Sequence, residues 1–197
     1  MKKLIAVACL ASTVAMTSGT ALADSIKGEI GVTGKIGFLL PADNDSDFFN
    51  NKTDEGLVGG VGLIYGLDDH FATELEVTRT DFGSQTGDFN VTNVSLGGQY
   101  RFAVADQRLT PYLGLGLDIL ATDYDPYDGA RRDVDTTVGV HASAGLDYFL
   151  LKQLALTAEA RLVVAPDADI TDGFGDHRGN FDPSSFSSTV GIRYFFN

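Results

Sequence analysis

His141 and Ser143 stand two residues apart with Glu159 downstream. These are the residue types of a nucleophilic hydroxyl, its base and an orienting acid. A hydrolytic serine needs its base within hydrogen-bond reach and its oxygen turned toward the substrate. On an extended strand, residues two apart share one face side by side, so the pair reads better as a polar contact than as a dyad. A second constellation, Asp43, Asn44, Asp45, Ser46 and Asp47 with Asp54 further on, opens like a calcium loop. Phe48 stands where the turn-making glycine belongs, and together with Asp167, Asp169, Asp172 and Asp176 the segment reads as solvated acidic loop. No cofactor and no metal site is expected. The third constellation is larger: Lys27, Glu29, Glu74, Glu76, Arg101, Asp147, Glu159, Arg161 and Arg193 each fall at every second position of an otherwise apolar run. Charges of both signs on one face of many strands are what a narrow polar interior needs, because each buried charge must find an opposite one.

The elements that position these residues are strands. Residues 26–40 place Ile26, Gly28, Ile30, Val32, Gly34, Ile36, Phe38 and Leu40 on one face and Lys27, Glu29, Thr33 and Lys35 on the other. The same separation recurs over residues 57–67, 71–80, 92–102, 109–122, 138–148, 154–164 and 185–196. Phe89 and Val91 are out of phase with the apolar set Val94, Leu96, Tyr100 and Phe102, so a bulge or a later start is expected there. The count of eight is even, and connections alternate between tight ones near Asp68, Ala103 and Lys152 and longer ones at residues 39–56, 83–89, 123–135 and 165–184. An all-β, eight-stranded antiparallel transmembrane β-barrel with short periplasmic turns and longer extracellular loops has this pattern.

Residues 1–23 carry Lys2 and Lys3, an apolar stretch and the small-x-small pair Ala21 and Ala23, and read as a cleaved signal, leaving residues 24–197 as the barrel. The apolar run ahead of Cys9, the single cysteine, is too short for a lipoprotein signal core. Without the two signal lysines, 12 basic residues face 27 acidic ones, a net charge of −15 that argues against nucleic acid as a partner. Alternation alone does not say which face is inside, and a secreted barrel with an apolar core would alternate too. Aromatic placement decides it. Tyr65, Phe71, Tyr100, Phe102, Tyr148, Tyr194 and Phe196 lie on the apolar face close to the short turns or the C-terminal end, at the level of an interfacial girdle. The expected location is the outer membrane of a Gram-negative bacterium, with the lipid bilayer and lipopolysaccharide as partners. Arg131, Arg132 and Arg178 are candidates to meet lipopolysaccharide phosphates. No oligomeric state is assigned.

At the residues VTNVSLGGQYRF, LTPYLGLGLD, VGVHASAGLDYFL and FDPSSFSSTVGIRYFF the chain resembles the small eight-stranded outer-membrane β-barrel superfamily, and most nearly the OmpW family. Thr189, Gly191, Tyr194 and Phe196 resemble that superfamily's C-terminal signal for the outer-membrane assembly machinery, with Asn197 one residue beyond the usual end. No peptidoglycan-binding domain of the OmpA type is expected after the barrel. The resemblance implies a narrow channel for small apolar solutes. OmpW-like lumens are largely apolar, however, whereas this interior reads as charged and the chain has no Trp. The alternative is a closed barrel serving adhesion or envelope integrity, in which the charged residues form a salt-bridged plug. Toward the external end the inward residues are mostly Gly and Thr, and a mouth pocket with Lys35, Asp118 and His141 is expected. Pro166 and Pro183, which lack a ladder N–H, raise the idea of a lateral exit between the last two strands. The His-x-Ser pattern resembles that of lipid A deacylases and makes a lipid A hydrolase the third reading; the expectation is that the protein is not an enzyme.

Overall fold

The computed structural model describes residues 26–42, 44–46, 49–51, 55–83, 87–127, 132–172 and 177–196. The expected signal segment, Asp43, Asp47, Asp54, Asp176 and Arg131, and the side chains of Arg132, Asp172 and Arg178, lie outside what is described.

Eight long strands form the barrel: β1 (Ile30–Pro41), β4 (Gly56–Gly66), β5 (Phe71–Gly83), β6 (Gly87–Arg101), β7 (Leu109–Pro126), β9 (Thr137–Leu151), β10 (Leu154–Val164) and β13 (Ser185–Phe196). Each pairs antiparallel with the next, β7 pairs with β9, and β13 returns to β1, so this ring has no free edge. Stepping once around from Ile30 through Tyr65, Thr73, Gly98, Leu115, Ala142, Leu162 and Phe186 brings the register back to β1 at Leu40, ten residues on. That stagger tilts the strands and leaves an interior that side chains fill.

The alternation reads through directly. Ile36, Phe38, Leu57, Val61, Leu115, Leu117, Val140, Val190 and Ile192 are exposed on the outside, while Thr33, Lys35, Glu76, Asp118, Asp147 and Arg193 are buried inside. In water that distribution would be ruinous; in a bilayer the exposed band is buried in lipid, over a height of about 25 Å. The girdle residues Tyr65, Phe71, Tyr100, Phe102, Tyr194 and Phe196 are exposed, Tyr148 is half-buried, and the pairings Phe71 with Tyr100 and Leu109 with Tyr148 keep them at the short-turn end. Edge-to-face pairs join Phe71 to Tyr100, Tyr100 to Phe102 and Tyr194 to Phe196. One short turn is braced by Asp68, whose carboxylate accepts from the backbone N–H groups of His70 and Phe71, each at 2.7 Å. Those two donors hold its carboxyl below the ordinary aspartate range.

Two expectations are corrected at strand ends. β1 begins at Ile30, not Ile26: Gly28 takes a positive φ of 77° and Lys27 bridges to Gly66, so the chain turns under the barrel and Ile26 is buried rather than lipid-facing. Nor is there a bulge at Phe89 or Val91. The pairings of β6 with β5 and β7 run without a register shift from Gly87 to Arg101, and the two residues share the inward parity of Asn93, Ser95 and Gln99.

On the external side the ring continues as a wall. β7 overruns the membrane band and pairs with β8 (Arg132–Val134), which pairs with β11 (Ala168–Asp172), which pairs with β12 (His177–Phe181). Part of the last long connection is therefore a hairpin leaning over the mouth. A separate small hairpin pairs β2 (Asn44–Ser46) with β3 (Phe49–Asn51). The lateral exit has no opening in this ladder: β10 and β13 pair from Leu154–Tyr194 to Val163–Ser185, and beyond it the Ala165 N–H donates to Ser184 Oγ at 3.2 Å. Amide hydrogen exchange over residues 162–164 and 185–187 is expected to match the protection of residues 155–159; free-peptide rates at that seam would mean the ladder opens.

Candidate functional site: a three-layered lumen

Inward parity puts apolar side chains at both ends of the lumen and ionised ones between. At the short-turn end Ile26, Ile64, Ala72, Phe149, Ala155 and Phe195 form one cluster, with the Phe149 and Phe195 rings stacked at 5.9 Å. At the external end Phe89, Val91, Leu120, Tyr124, Val163, Ala168 and Phe181 form another. There the Phe89 ring stacks between Tyr124 at 4.4 Å and Phe181 at 4.9 Å, and Phe181 is carried in by the β12 strand of the overhanging hairpin.

The charged layer has two tiers. In the lower one, Arg193 donates to Asp147 Oδ2 at 2.8 Å, to Glu74 Oε1 at 2.8 Å and to Thr33 Oγ1 at 2.9 Å. Arg101 donates to the same Asp147 oxygen at 2.7 Å, and the Gln99 amide donates to Glu74. In the upper tier Lys35 pairs with Glu76 and with Glu159 at 3.0 Å, and Arg161 reaches Glu76 and Glu159, each at 3.0 Å. Tyr112 joins the tiers: both the Arg101 and Arg193 guanidinium carbons lie 5.8 Å from its ring centroid, and its hydroxyl donates to Glu159 Oε2 at 3.1 Å. Beside the upper tier, Asp118 meets His141 Nδ1 at 2.6 Å and accepts from the Asn93 amide at 2.7 Å. Taking each ion out of water costs several kcal/mol, which only this density of opposite charges and hydrogen bonds offsets.

The structure brings together seven of the nine residues read as a plug: Glu74, Glu76, Arg101, Asp147, Glu159, Arg161 and Arg193. Lys27 is not among them, because the turn at Gly28 leaves it exposed below the barrel, and Glu29 is half-buried just ahead of β1. Of the mouth pocket drawn around Lys35, Asp118 and His141, Lys35 lines a cavity below the external rim, whereas Asp118 and His141 lie outside that lining. All three are buried in the packed layer, with Lys35 a full member of the upper tier. His141 and Ser143 both face the lumen, and the partner of the imidazole is Asp118.

The apolar clusters were missed, although their signal was present. Phe89, Val91, Leu120 and Tyr124 hold the inward parity of the charged residues on the same strands, and were overlooked because apolar residues were assigned to lipid. Phe181 had no parity to read, lying in a loop that only the hairpin orders.

Closed on itself, apolar outside and ionised within, the molecule is a transmembrane β-barrel of the small bacterial kind. Residues 6–194 match the model of the outer membrane protein beta-barrel domain family, and the chain belongs to that family; its place is the outer membrane. No curated protein sequence matches it. Among solved structures it is similar to OprG from Pseudomonas aeruginosa, with a TM-score of 0.70 and 17% identity over 87% of this chain and 97% of that one. It is also similar to Neisserial surface protein A (TM-score 0.63, 16% identity, 85% and 96% covered) and to outer membrane protein W of E. coli (TM-score 0.52, 18% identity, 86% and 98% covered). At such identities the likeness is one of fold, and it bears out the expected small eight-stranded barrel.

Proposed function

We propose that this protein is a closed outer-membrane barrel that acts through its surfaces, supporting the envelope and making contacts at the external wall, rather than a solute channel. The observation that carries this reading is the blocked lumen. Two apolar layers and a two-tiered ion network lie in series across it, and the cavity between the charged layer and the external lid measures only about 40 Å³. A narrow path for small apolar solutes would have to pass Arg101, Asp147 and Arg193, where an apolar molecule gains nothing to offset the broken ion pairs. The external wall bears exposed Asp81, Asp88, Asp123, Asp125 and Asp169, an acidic rim suited to cation-bridged contact with lipopolysaccharide. Residues Thr189 to Phe196 serve recognition by the assembly machinery. Hydrolysis of lipid A is not supported, since His141 and Ser143 lie inside the lumen, away from any lipid.

Purified protein in vesicles is expected to give uptake of polar and apolar probes no faster than protein-free vesicles, and no conductance in planar bilayers. Saturable, protein-dependent uptake would replace this reading with the channel.

A further inference from the structure

Between the upper ion tier and the aromatic lid lies the cavity of about 40 Å³, floored by Lys35, Glu76, Glu159 and Arg161 and roofed by Val91, Leu120, Val163 and Phe181. That is room for a few waters or for a polar head with a short tail. It reaches the rim at Pro41 and Pro183, the low side of the mouth, where β1 ends just as β13 begins.

Two features give it a chemical preference. Asn93 lines the cavity, and its amide orientation is fixed because a carboxylate accepts: the NH₂ donates to Asp118, which leaves Oδ1 buried without a partner although the residue is only 9% exposed. An orphaned buried acceptor favours a ligand that donates. The second is charge. Glu74, Glu76, Asp147 and Glu159 each meet an Arg or Lys, whereas Asp118, behind Asn93, meets only His141 and that amide among the described residues. Behind the wall thus lies a carboxylate in direct contact with no arginine or lysine, Arg161 acting on it only from a distance.

The geometry points to this cavity as a binding site for a small primary alkylammonium, its N–H donating to Asn93 Oδ1 and its short chain lying against Val91, Leu120, Val163 and Phe181. A carboxylate ligand would find Lys35 and Arg161 already held by Glu76 and Glu159, and a quaternary ammonium offers no donor. The site does not depend on whether the barrel conducts: ethylammonium crossing the barrel in vesicles would overturn the closed-barrel reading and leave the pocket standing.

The test is an NMR titration of the full barrel in lipid nanodiscs with ethylammonium, and with ethanol, acetate and tetramethylammonium beside it. Ethylammonium alone is expected to produce saturable shifts at the Asn93 side-chain amide and the Val91, Leu120 and Val163 methyl groups. Asn93→Leu is expected to weaken binding at least about tenfold, the loss of one hydrogen bond to a charged group. Should that variant fail to fold, Val163→Phe, which fills the space from the roof, is expected to abolish the shifts. Ethanol binding as tightly, no saturable shift, or binding indifferent to both substitutions would overturn the site.

Discussion

Replacing Arg193 with methionine is expected to cost about 3–5 kcal/mol of barrel stability, enough to prevent refolding into micelles or vesicles. Arg193 is 1% exposed and its guanidinium holds three partners, Asp147, Glu74 and Thr33. Asp147 keeps Arg101 when the guanidinium goes. Glu74 keeps the Gln99 amide, so the substitution leaves a buried carboxylate with no cation in direct contact. That orphan, rather than the lost attraction, dominates the cost. Adding Glu74→Gln to the methionine variant removes the stranded charge and is expected to restore a substantial part of the stability. Arg79→Met is the control. Arg79 sits on the outer surface, its 3.9 Å contact with Asp81 is made by two largely exposed side chains, and such pairs contribute about 0–1 kcal/mol. Urea midpoints, or the heat-modifiable shift on gels, measure all three. An Arg193→Met barrel as stable as the Arg79→Met barrel would show that the ion network does not hold the lumen together.

The contrast shows which parts of the molecule could be read from residue order. A strand wall converts parity into sidedness, so Glu76 or Arg161 needs only its place in the alternation to be assigned to the interior. The ring follows from eight such strands with alternating turn lengths. What parity does not provide is depth or partner. Lys35 lies on β1 and Glu159 on β10, and which cation meets which carboxylate depends on the ten-residue stagger, a property of the closed ring and of no single strand. Lys27 shows the other limit. It fits the alternation of β1, but one glycine at positive φ takes it out of the strand. Parity also misled where lipid was assumed to claim every apolar residue: Phe149 and Phe195 face inward, closing the short-turn end that their neighbours Tyr148 and Phe196 were assigned to ring from outside.

Gly145 provides the second large effect. It sits directly across from Tyr112 in the pairing of β7 with β9, and a methyl group added there would run into the Tyr112 ring and hydroxyl. The missing side chain lets the tyrosine lie back over the neighbouring strand, beneath Glu159 and beside both guanidiniums. Gly145→Ala must therefore expel the ring, and overpacking of this kind costs about 1–3 kcal/mol. Displacement also breaks the Tyr112 hydroxyl's 3.1 Å bond to Glu159, a charge-assisted contact whose loss adds about 1.5–3 kcal/mol. Tyr112→Ala alone is costly too, for it leaves a cavity between the ion tiers. The two substitutions should not add. With the ring gone, the alanine at position 145 enters space that is already empty, so the double variant is expected to be no less stable than Tyr112→Ala by itself, a coupling as large as the whole cost of Gly145→Ala. Costs that add to within about 0.5 kcal/mol would mean that the ring does not occupy the space above Gly145. A Gly116 substitution gives no such cycle, because its added carbon would strike the backbone of β6 as well as the His141 ring. A bulky side chain at Gly116 would therefore disrupt the wall and could not report on a pore.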